Sequence, residues 1–423
     1  MRRKTIHALA KIIAEHAGKS GAEVGEIVTV EPDCLMCHDR GIAKVVRRFE
    51  QMGGKKVWNA DKIVVIFDHV YPPPRIQDAE SQAKSRAWME AQGIKNFFPG
   101  DGVCHIVIPE KGFAYPGSLS VGSDSHTVTY SALGAFATGM GHSDLASTMC
   151  IGTTWLRVPE TVRVDVHGKL LPWVEAKDVL LKMLGQYGEA MCTYQAVEYA
   201  GPTVESMNMD HRLTMCNLAI EIGAKTGYIA PDDVTWEYMK GRKDRALCSP
   251  QTTDSHKDYE AIYDVDVDGL EPMVALPHDL ANVEPASQLA SVKIDEAVLG
   301  TCTGGRLEDF RSAAAVLKGK KLHPRTRMIV NPGSTEIYLA AMSEGIIQTL
   351  VEAGADIGST GCGPCSGCQL GMLGSGEVSI TSSSRNYLGR MGSPESNIYV
   401  ASAATVAASA VAGEIAPPAA VVK

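Results

Sequence analysis

Three cysteines fall within seven residues in the stretch Gly361-Cys362-Gly363-Pro364-Cys365-Ser366-Gly367-Cys368. Glycine and proline separate them, and these residues forbid a regular helix or strand and let the backbone turn tightly. Packing gives no reason for three thiols in such a loop. The spacing Cys-x-x-Cys-x-x-Cys therefore predicts that this loop binds a metal ion or an iron–sulfur cluster.

A further cysteine, in the stretch Thr301-Cys302-Thr303, is a candidate to join thiols of that loop on an iron–sulfur cluster. A cluster with four cysteine ligands transfers electrons, whereas one with three leaves an iron open to act as a Lewis acid on a substrate. Spacing alone leaves open which thiols serve. Cys34-x-x-Cys37 together with Cys365-x-x-Cys368 would make a four-thiolate zinc site, although nothing local favours pairing segments so far apart.

Acidic residues and histidines meet where apolar runs end. Asp68-His69 follows the run Ile63–Phe67, Asp124-Ser125-His126 follows Leu119–Gly122, and His105 opens another apolar run. A carboxylate beside an imidazole fixes its tautomer and raises its basicity, as proton transfer requires. Either Asp-His pair alone would suggest a surface turn. Because ligands gather at the carboxyl ends of strands in open α/β sheets, the groups taken together predict a catalytic site.

Two arginines, Arg385 and Arg390, stand five residues apart around Gly389. Guanidinium forks are the usual groups that hold carboxylates. This segment therefore predicts a carboxylate-binding loop, with a solvated basic turn as the alternative.

Composition excludes several classes of protein. The chain has 423 residues, a formal net charge of −9 and 11 cysteines. The acidic balance, without a long basic run, argues against nucleic acid or an anionic membrane as a partner. No sustained apolar run follows the basic N-terminus, and the longest uncharged stretch, 397–413, is shorter than the ~20 apolar residues of a membrane span. An odd number of cysteines without a secretion signal indicates reduced thiols in a cytoplasmic protein.

Apolar runs and helical periodicities alternate along the chain, which predicts an α/β architecture. We predict three domains, at residues 1–160, 161–285 and 286–423, the second opened by the alternating strand Thr161–His167.

Four local predictions can be compared directly with a structure. We expect a helix over residues 5–17, a loop over 31–39, a strand over 104–108 and a Gly/Ala-rich helix over 133–141.

Three blocks of the sequence resemble the signatures of the aconitase superfamily: Gly122-Ser123-Asp124-Ser125-His126-Thr127, Gly300-Thr301-Cys302-Thr303 and Cys362-Gly363-Pro364-Cys365. Residues 96–98, 134–141 and 223–227 support it. The resemblance covers nearly the whole chain and is greatest to the large subunits of isopropylmalate isomerase and homoaconitase. It implies an α/β fold of three αβα-layered domains, without the swivelling fourth domain of other members.

The resemblance also implies a 4Fe–4S cluster held by Cys302, Cys362 and Cys365, with Cys368 as a spectator. The substrate would be a hydroxy di- or tricarboxylate. The residues matched to proton transfer are Asp68, His69, His105, Asp124, His126 and Glu221. Those matched to substrate contacts are His38, Ser125, Asn217, Arg385 and Arg390. Asp68-His69 would protonate the departing hydroxyl, and neutral histidines would relay protons near pH 7.

In the family, the serine that removes the carbon-bound proton lies in the swivelling domain. The resemblance therefore implies a hydro-lyase large subunit that needs a separate small subunit. A 3-isopropylmalate dehydratase is the first expectation, with homoaconitase or a methyl-substituted malate dehydratase as alternatives. Gly304 and Ser384 stand where relatives have asparagine, which favours the methyl-substituted malate dehydratase more than usual.

Two other classes of function stay in view. In an electron-transfer or non-catalytic protein, Cys368 would supply a fourth thiolate to the cluster. An RNA-binding role, as some relatives perform, is disfavoured by the acidic charge and the lack of a basic stripe.

Overall fold

A computed structural model describes residues 7–422 and divides the chain into two compact units, each made of separate chain segments. Unit 1 comprises Met1–Pro99, Val107–His167 and Ala190–Val265, and unit 2 comprises Gly100–Ile106, Gly168–Glu189 and Asp266–Lys423. The division into three domains expected from the sequence stays a prediction.

Helices and strands are interspersed along residues 7–422. They are α1 (Ala8–His16), α2 (Asp39–Gln51), α3 (Ile76–Gln92), α4 (Cys104–Glu110), α5 (His142–Ile151), α6 (Ala176–Tyr187), α7 (Pro202–Ser206), α8 (Met209–Asn217), α9 (Asp233–Met239), α10 (Thr301–Gly304), α11 (Leu307–Leu317), α12 (Thr335–Ser343), α13 (Ile346–Ala353) and α14 (Ala403–Ala412). Short 3₁₀ helices that bear on the site are Ser125–Leu133, Leu218–Ile222 and Gly363–Ser366.

Unit 1 is built on eleven strands within the described residues. They are β1 (Ile27–Val30), β2 (Cys34–His38), β3 (Ile63–Phe67), β4 (Phe97–Pro99), β5 (Leu119–Gly122), β6 (Phe136–Gly139), β7 (Thr154–Arg157), β8 (Thr161–His167), β9 (Ala196–Ala200), β10 (Thr226–Tyr228) and β11 (Ile262–Asp266), whose last residue already belongs to unit 2. A five-stranded parallel sheet has the order β4-β3-β2-β5-β6, and a four-stranded sheet has the order β10-β9-β8-β11. Strands β1 and β7 form an antiparallel pair.

The centre of the five-stranded sheet corrects the prediction of a loop over residues 31–39. Residues Cys34–His38 form strand β2, which is buried along its whole length and pairs with both β3 and β5. A parallel sheet covered on both faces needs no alternation of polar and apolar residues, so its central strand lacks the period of two. Pro32-Asp33, immediately before the strand, is typical of a loop, so the sequence pattern favoured a longer loop.

Two other short segments have the opposite secondary structure to the prediction. Residues Cys104–Glu110 form helix α4 rather than a strand, and Phe136–Gly139 form strand β6, parallel to β5, rather than a helix. An apolar run this short fits either structure, and its packing decides between them. Helix α1 agrees with the prediction from Ala8 onwards, and residues 5 and 6 lie outside the described part of the chain.

Unit 2 contains one seven-stranded sheet. Its strands are β12 (Met273–Ala275), β13 (Val283–Pro285), β14 (Glu296–Leu299), β15 (Arg327–Val330), β16 (Asp356–Ile357), β17 (Val378–Thr381) and β18 (Asn397–Ala401). Their order is β13-β12-β18-β17-β14-β15-β16, with the five strands from β18 to β16 parallel. The Ala-rich helix α14 packs against α11 and β14, and its small side chains allow this close approach.

Within residues 7–422, no helix combines the length and apolar character that crossing a membrane requires.

Candidate active site

Three adjacent parallel strands of unit 1 carry the acidic and histidine side chains to one edge of the sheet. His38 ends β2, Asp68-His69 directly follows β3, and Asp124 lies two residues after β5. Because β3, β2 and β5 are neighbours, their carboxyl ends meet, and the groups predicted from the sequence lie together there.

His69 is the centre of this group. Its Nδ1 lies 2.8 Å from Oδ1 of Asp68, and its Nε2 lies 3.8 Å from Oδ2 of Asp124. The imidazoles of His69 and His38 are 4.3 Å apart between ring centres. Nε2 of His38 lies 3.9 Å from the same oxygen of Asp124. The arrangement places two imidazoles against one carboxylate.

The surroundings of His69 favour its protonated form, whereas the sequence interpretation expected a neutral imidazole near pH 7. Burial disfavours the charged form, but the charge and hydrogen bond of Asp68, with the charges of Asp124 and Asp39, outweigh it and raise the pKa of His69 to about 10. The raised pKa means that the protonated imidazole predominates at pH 7.

Asp39 is a member of this network that the sequence interpretation did not assign. It begins helix α2, and its carboxylate accepts hydrogen bonds from the backbone N–H groups of His69 (3.2 Å) and Val70 (2.8 Å). His38, Asp39, Asp68 and His69 are all buried, and one potential ligand atom from each lies within 4.8 Å of the others. Because Asp68 is bonded to the imidazole of His69 and Asp39 to backbone donors, these residues form a hydrogen-bonded network.

His126 has its own pair of carboxylates. Its Nε2 lies 3.0 Å from Oε1 of Glu221, and its Nδ1 lies 3.4 Å from Oδ1 of Asp124. The 3₁₀ helix Leu218–Ile222 carries Glu221, and Asn217 at the end of α8 donates to the hydroxyl of Thr129 at 2.7 Å. The structure thus links His126, Asp124 and Glu221, as the sequence prediction grouped them, and their catalytic roles stay predictions.

The cysteines Cys302, Cys362 and Cys365 lie together in unit 2. Cys302 is in α10, which follows β14, and the other two belong to the loop that follows β16. All three are at most 4% exposed and share one apolar cluster with Val103 and Ile106. Cys368 is half-buried and is not a member of that cluster, and its thiol donates to the carbonyl of Ser366 at 3.2 Å.

Asn331, which follows β15, holds the cysteine loop of residues 361–368 in place. Its side-chain amide donates to the carbonyl of Ser359 at 3.0 Å, and a Cβ built on Gly363 would lie only 2.3 Å from its Oδ1. Gly363 also has a φ of +58°, so glycine is required there for conformation and for space. A second backbone constraint lies at Thr301, a β-branched residue with a φ of +69° just before Cys302.

Positively charged side chains surround the thiols. Arg390 donates from Nη2 to Sγ of Cys365 at 3.5 Å, and the buried Arg306 donates to the carbonyl oxygen of Cys302. The ammonium of Lys177 donates to the carbonyl of Ser382, and burial lowers its pKa to about 8 against the opposing charge of nearby carboxylates. Cationic neighbours favour thiolates and an anionic iron–sulfur group. The donor set therefore fits the cofactor expected from the sequence.

The other predicted residues are distributed between the units. His105 is the second residue of α4, in unit 2, rather than the start of a strand. Arg385 and Arg390 follow β17 in unit 2, and both are half-buried. Ser125 and Asn217 lie in unit 1 with the histidine network.

The alternative of a zinc site that includes Cys34 and Cys37 stays a prediction. Both thiols are buried on the central strand β2. Burial raises the pKa of Cys34 far above its ordinary value and that of Cys37 to about 12, despite a hydrogen bond with Ser123 that lowers the latter.

Gly304 and Ser384, for which the resemblance implies asparagine in relatives, have different structural surroundings. A Cβ on Gly304 would lie 2.1 Å from Oγ of Ser382, so no larger side chain fits there without a shift of Ser382. The hydroxyl of Ser384 is buried and has no hydrogen-bond partner within residues 7–422.

Asp39, Lys177 and Asn331 were not identified from the sequence. The sequence contained a signal for Asp39 and Asn331, because each directly follows the last residue of a buried strand. Lys177 follows no such strand, and only the folded chain brings it to the cysteine loops.

Comparison with known proteins shows the family of the chain. The sequence profile of the aconitase family (aconitate hydratase) matches residues 10–288 and 278–413. The chain belongs to the aconitase family. Membership of this family implies an iron–sulfur cluster, and the three buried thiols of unit 2 are the donor set that fits it.

Relatives within the aconitase family are similar over their whole length. The chain is 46% identical to the "Probable 3-isopropylmalate dehydratase large subunit" of Methanothermobacter thermautotrophicus over 96% of this chain and 97% of the relative. It is 45% identical to the "3-isopropylmalate dehydratase large subunit 1" of Pyrococcus furiosus over 98% of both chains. It is also 44% identical to the "Probable methanogen homoaconitase large subunit" of M. thermautotrophicus over 96% of both.

Among solved structures, the chain is similar to aconitase X from Thermococcus kodakaraensis in its holo form. The TM-score is 0.49 and the sequences are 14% identical, over 89% of each chain. A similarity this distant carries no argument about the reaction.

Proposed function

We propose that this chain is the large subunit of a hydro-lyase that dehydrates and rehydrates a hydroxy di- or tricarboxylate, with 3-isopropylmalate as the first candidate. The observation that carries the proposal is the set of three buried thiols, Cys302, Cys362 and Cys365, in one apolar cluster that excludes Cys368. Aconitase-family membership and the names of whole-length relatives support the same class of reaction.

Cys302, Cys362 and Cys365 would hold a 4Fe–4S cluster. With three protein ligands, the cofactor supplies a Lewis-acidic iron for a substrate hydroxyl and carboxylate. Arg390, which donates to Sγ of Cys365, would stabilise the thiolate form of that ligand.

His69 would give its proton to the hydroxyl as the C–O bond breaks, because Asp68 keeps this imidazole protonated at neutral pH. His126, bonded to Glu221, and Asp124 would serve as further proton-holding groups of the same reaction, together with His105. The role of His105 rests on the resemblance of the sequence to the family.

Substrate carboxylates would be held by Arg385 and Arg390, whose guanidinium groups stabilise the negative charge that builds during elimination. His38, Ser125 and Asn217 would complete the substrate contacts. Of these, Asn217 is bonded to Thr129, which fixes the orientation of its amide.

A small subunit would supply the swivelling domain and the serine base that removes the carbon-bound proton. Support comes from the names of the relatives, which call them large subunits. The complex is proposed to work in the cytoplasm, where thiols stay reduced.

Homoaconitase and a methyl-substituted malate dehydratase are the alternative activities. The homoaconitase alternative is supported by the M. thermautotrophicus relative that carries this name. Gly304 and Ser384, which replace two asparagines, are the features of this chain that favour a substrate other than 3-isopropylmalate.

The test is to purify the chain without oxygen, with Cys302→Ser and Cys368→Ser as the matched pair of variants. We expect Cys302→Ser to lose the brown chromophore and most of its iron and sulfide, because one of three ligands is gone. Cys368→Ser should keep both, and the complex with the small subunit should stay active.

Loss of the cluster in Cys368→Ser would support an electron-transfer protein with four thiolate ligands, and full iron in Cys302→Ser would contradict the ligand assignment. A panel of isopropylmalate, homocitrate and dimethylmalate, tested on the reconstituted pair of subunits, then identifies the substrate.

A further inference from the structure

A pocket of about 470 Å³ in unit 1 adjoins two of the predicted site residues. Asp124 and Ser125 form part of its wall, and Lys225 and Tyr194 form another part. Its volume is in the range of small-molecule sites. The proposed reaction gives no role to Lys225.

Lys225 is a cation that lacks a carboxylate partner. Within residues 7–422, no ion pair joins its ammonium group to a carboxylate, and the centre of the Tyr194 ring lies 5.6 Å from it. Burial lowers the pKa of Lys225, and only the more distant charge of Asp144 opposes this. A half-buried ammonium in this state is stabilised by an anionic ligand.

The backbone holds Lys225 firmly. Its N–H donates to the carbonyl of Gln195 at 2.8 Å, and its carbonyl accepts from the hydroxyl of Thr138 at 3.0 Å. Tyr194 beside it has a φ of +60°, and its N–H donates to the carbonyl of Gly223. These backbone bonds hold Lys225 and Tyr194 in fixed positions in the wall of the pocket.

The charges around the pocket are compatible with a bound anion. Asp124, the carboxylate in its wall, lies against the imidazoles of His69 and His126, and His69 is protonated at neutral pH. The protonated imidazole of His69 therefore balances the negative charge of Asp124. Ile220 and Ala224 give the rest of the wall an apolar surface suited to a short carbon chain.

We propose that this pocket is a carboxylate subsite, in which Lys225 binds a carboxylate of the hydroxy acid whose other groups meet Asp124 and Ser125. The proposal rests on the proposed function and names a specificity-determining residue for it. Lys225 would make the complex select acids that carry a carboxylate at this end over neutral analogues of the same size.

The first experiment measures binding by the chain of 423 residues, with succinate as the probe and succinamide as its neutral counterpart. Lys225→Met should weaken succinate binding by about tenfold or more and leave succinamide binding unchanged, since one charge-assisted contact is lost. Lys225→Arg should retain most of the affinity. Lys11→Met is the matched control, because Lys11 lines another pocket of unit 1 but is paired with Asp254.

The second experiment measures turnover by the reconstituted complex. Lys225→Met should raise KM by about tenfold while kcat changes by less than about threefold, because a binding contact and not the proton transfer is removed. If the wild-type complex turns over no hydroxy acid, the proposed function fails, while the succinate measurement still tests the subsite. Equal succinate affinity in the wild type and Lys225→Met, or equal losses for succinate and succinamide, would overturn the subsite.

Discussion

His69 lies among three carboxylates, and each is held in a different way. Asp68 bonds directly to its imidazole, Asp39 accepts its backbone N–H, and Asp124 is fixed by the N–H of His126 at 2.8 Å. Because these carboxylates are already oriented before a proton moves, the imidazolium is stabilised without reorganisation. The acidity of this residue thus follows from its neighbours along and across the sheet.

We predict that His69 titrates near pH 10, and that Asp68→Asn brings its pKa well below that value, because burial then dominates. The proton NMR signal of the imidazole, followed against pH, measures this. His142 is the internal control, since burial and nearby cations lower its pKa below 6.5.

The same shift affects stability. Because the folded pKa of His69 lies above its ordinary value of 6.5, the stabilisation is complete below about pH 6.5 and is lost as the pH rises through about 10. A wild-type His69 signal that titrates near 6.5 would contradict the ion pair.

At the scale of elements, the short helix α10 is positioned by the end of β17. The hydroxyl of Ser382 accepts the N–H of Gly300 at 3.0 Å, and the hydroxyl of Thr303 donates to the carbonyl of Ser382 at 2.9 Å. Gly304 packs directly on Ser382. The Cys302 loop therefore depends on contact with a strand about 80 residues later in the chain.

We predict that Gly304→Ala destabilises the chain by about 1–3 kcal/mol, because the new Cβ would lie 2.1 Å from Oγ of Ser382. Chemical denaturation of the chain measures the change. Gly21→Ala is the control, since no atom lies within 4 Å of its Cβ, and it should change the free energy of unfolding by less than about 0.5 kcal/mol. Equal stabilities of the two variants would argue against close packing at Gly304.

At the scale of the whole molecule, the two sets of site residues belong to different compact units. The cysteines and arginines lie in unit 2, and the network of His38, Asp68, His69, Asp124 and His126 lies in unit 1. Unit 2 also contains Lys177 on α6, which comes from an earlier segment of the chain. A ligand that binds the folded form stabilises the segments that hold it.

We predict that reconstitution of the cluster slows backbone hydrogen exchange most in the peptides that contain residues 301–304 and 361–368. The bound cluster would join these segments through their cysteine thiolates. Their backbone would then open less often, which slows the exchange of its amide hydrogens. Mass spectrometry of the chain before and after anaerobic reconstitution measures this. Protection centred on β2, which contains Cys34 and Cys37, would instead indicate a metal site in unit 1.

Much of the site was predictable from the sequence because its chemistry is local. Asp68-His69 and Asp124-Ser125-His126 follow apolar runs, and the Gly/Pro-rich loop requires its cysteines to serve something other than packing. In these places the chain itself juxtaposes the reactive groups, so residue order alone carries the signal.

Only the tertiary structure decided the rest. Cys34–His38 and Phe136–Gly139 became strands because parallel neighbours bind them on the sheet, and Cys104–Glu110 became a helix although its apolar run fits a strand equally well. The charge of His69, the contacts of Lys177 and the pocket beside Lys225 depend on groups distant in sequence. Burial and electrostatic interaction act through space, and no local pattern of residues records them.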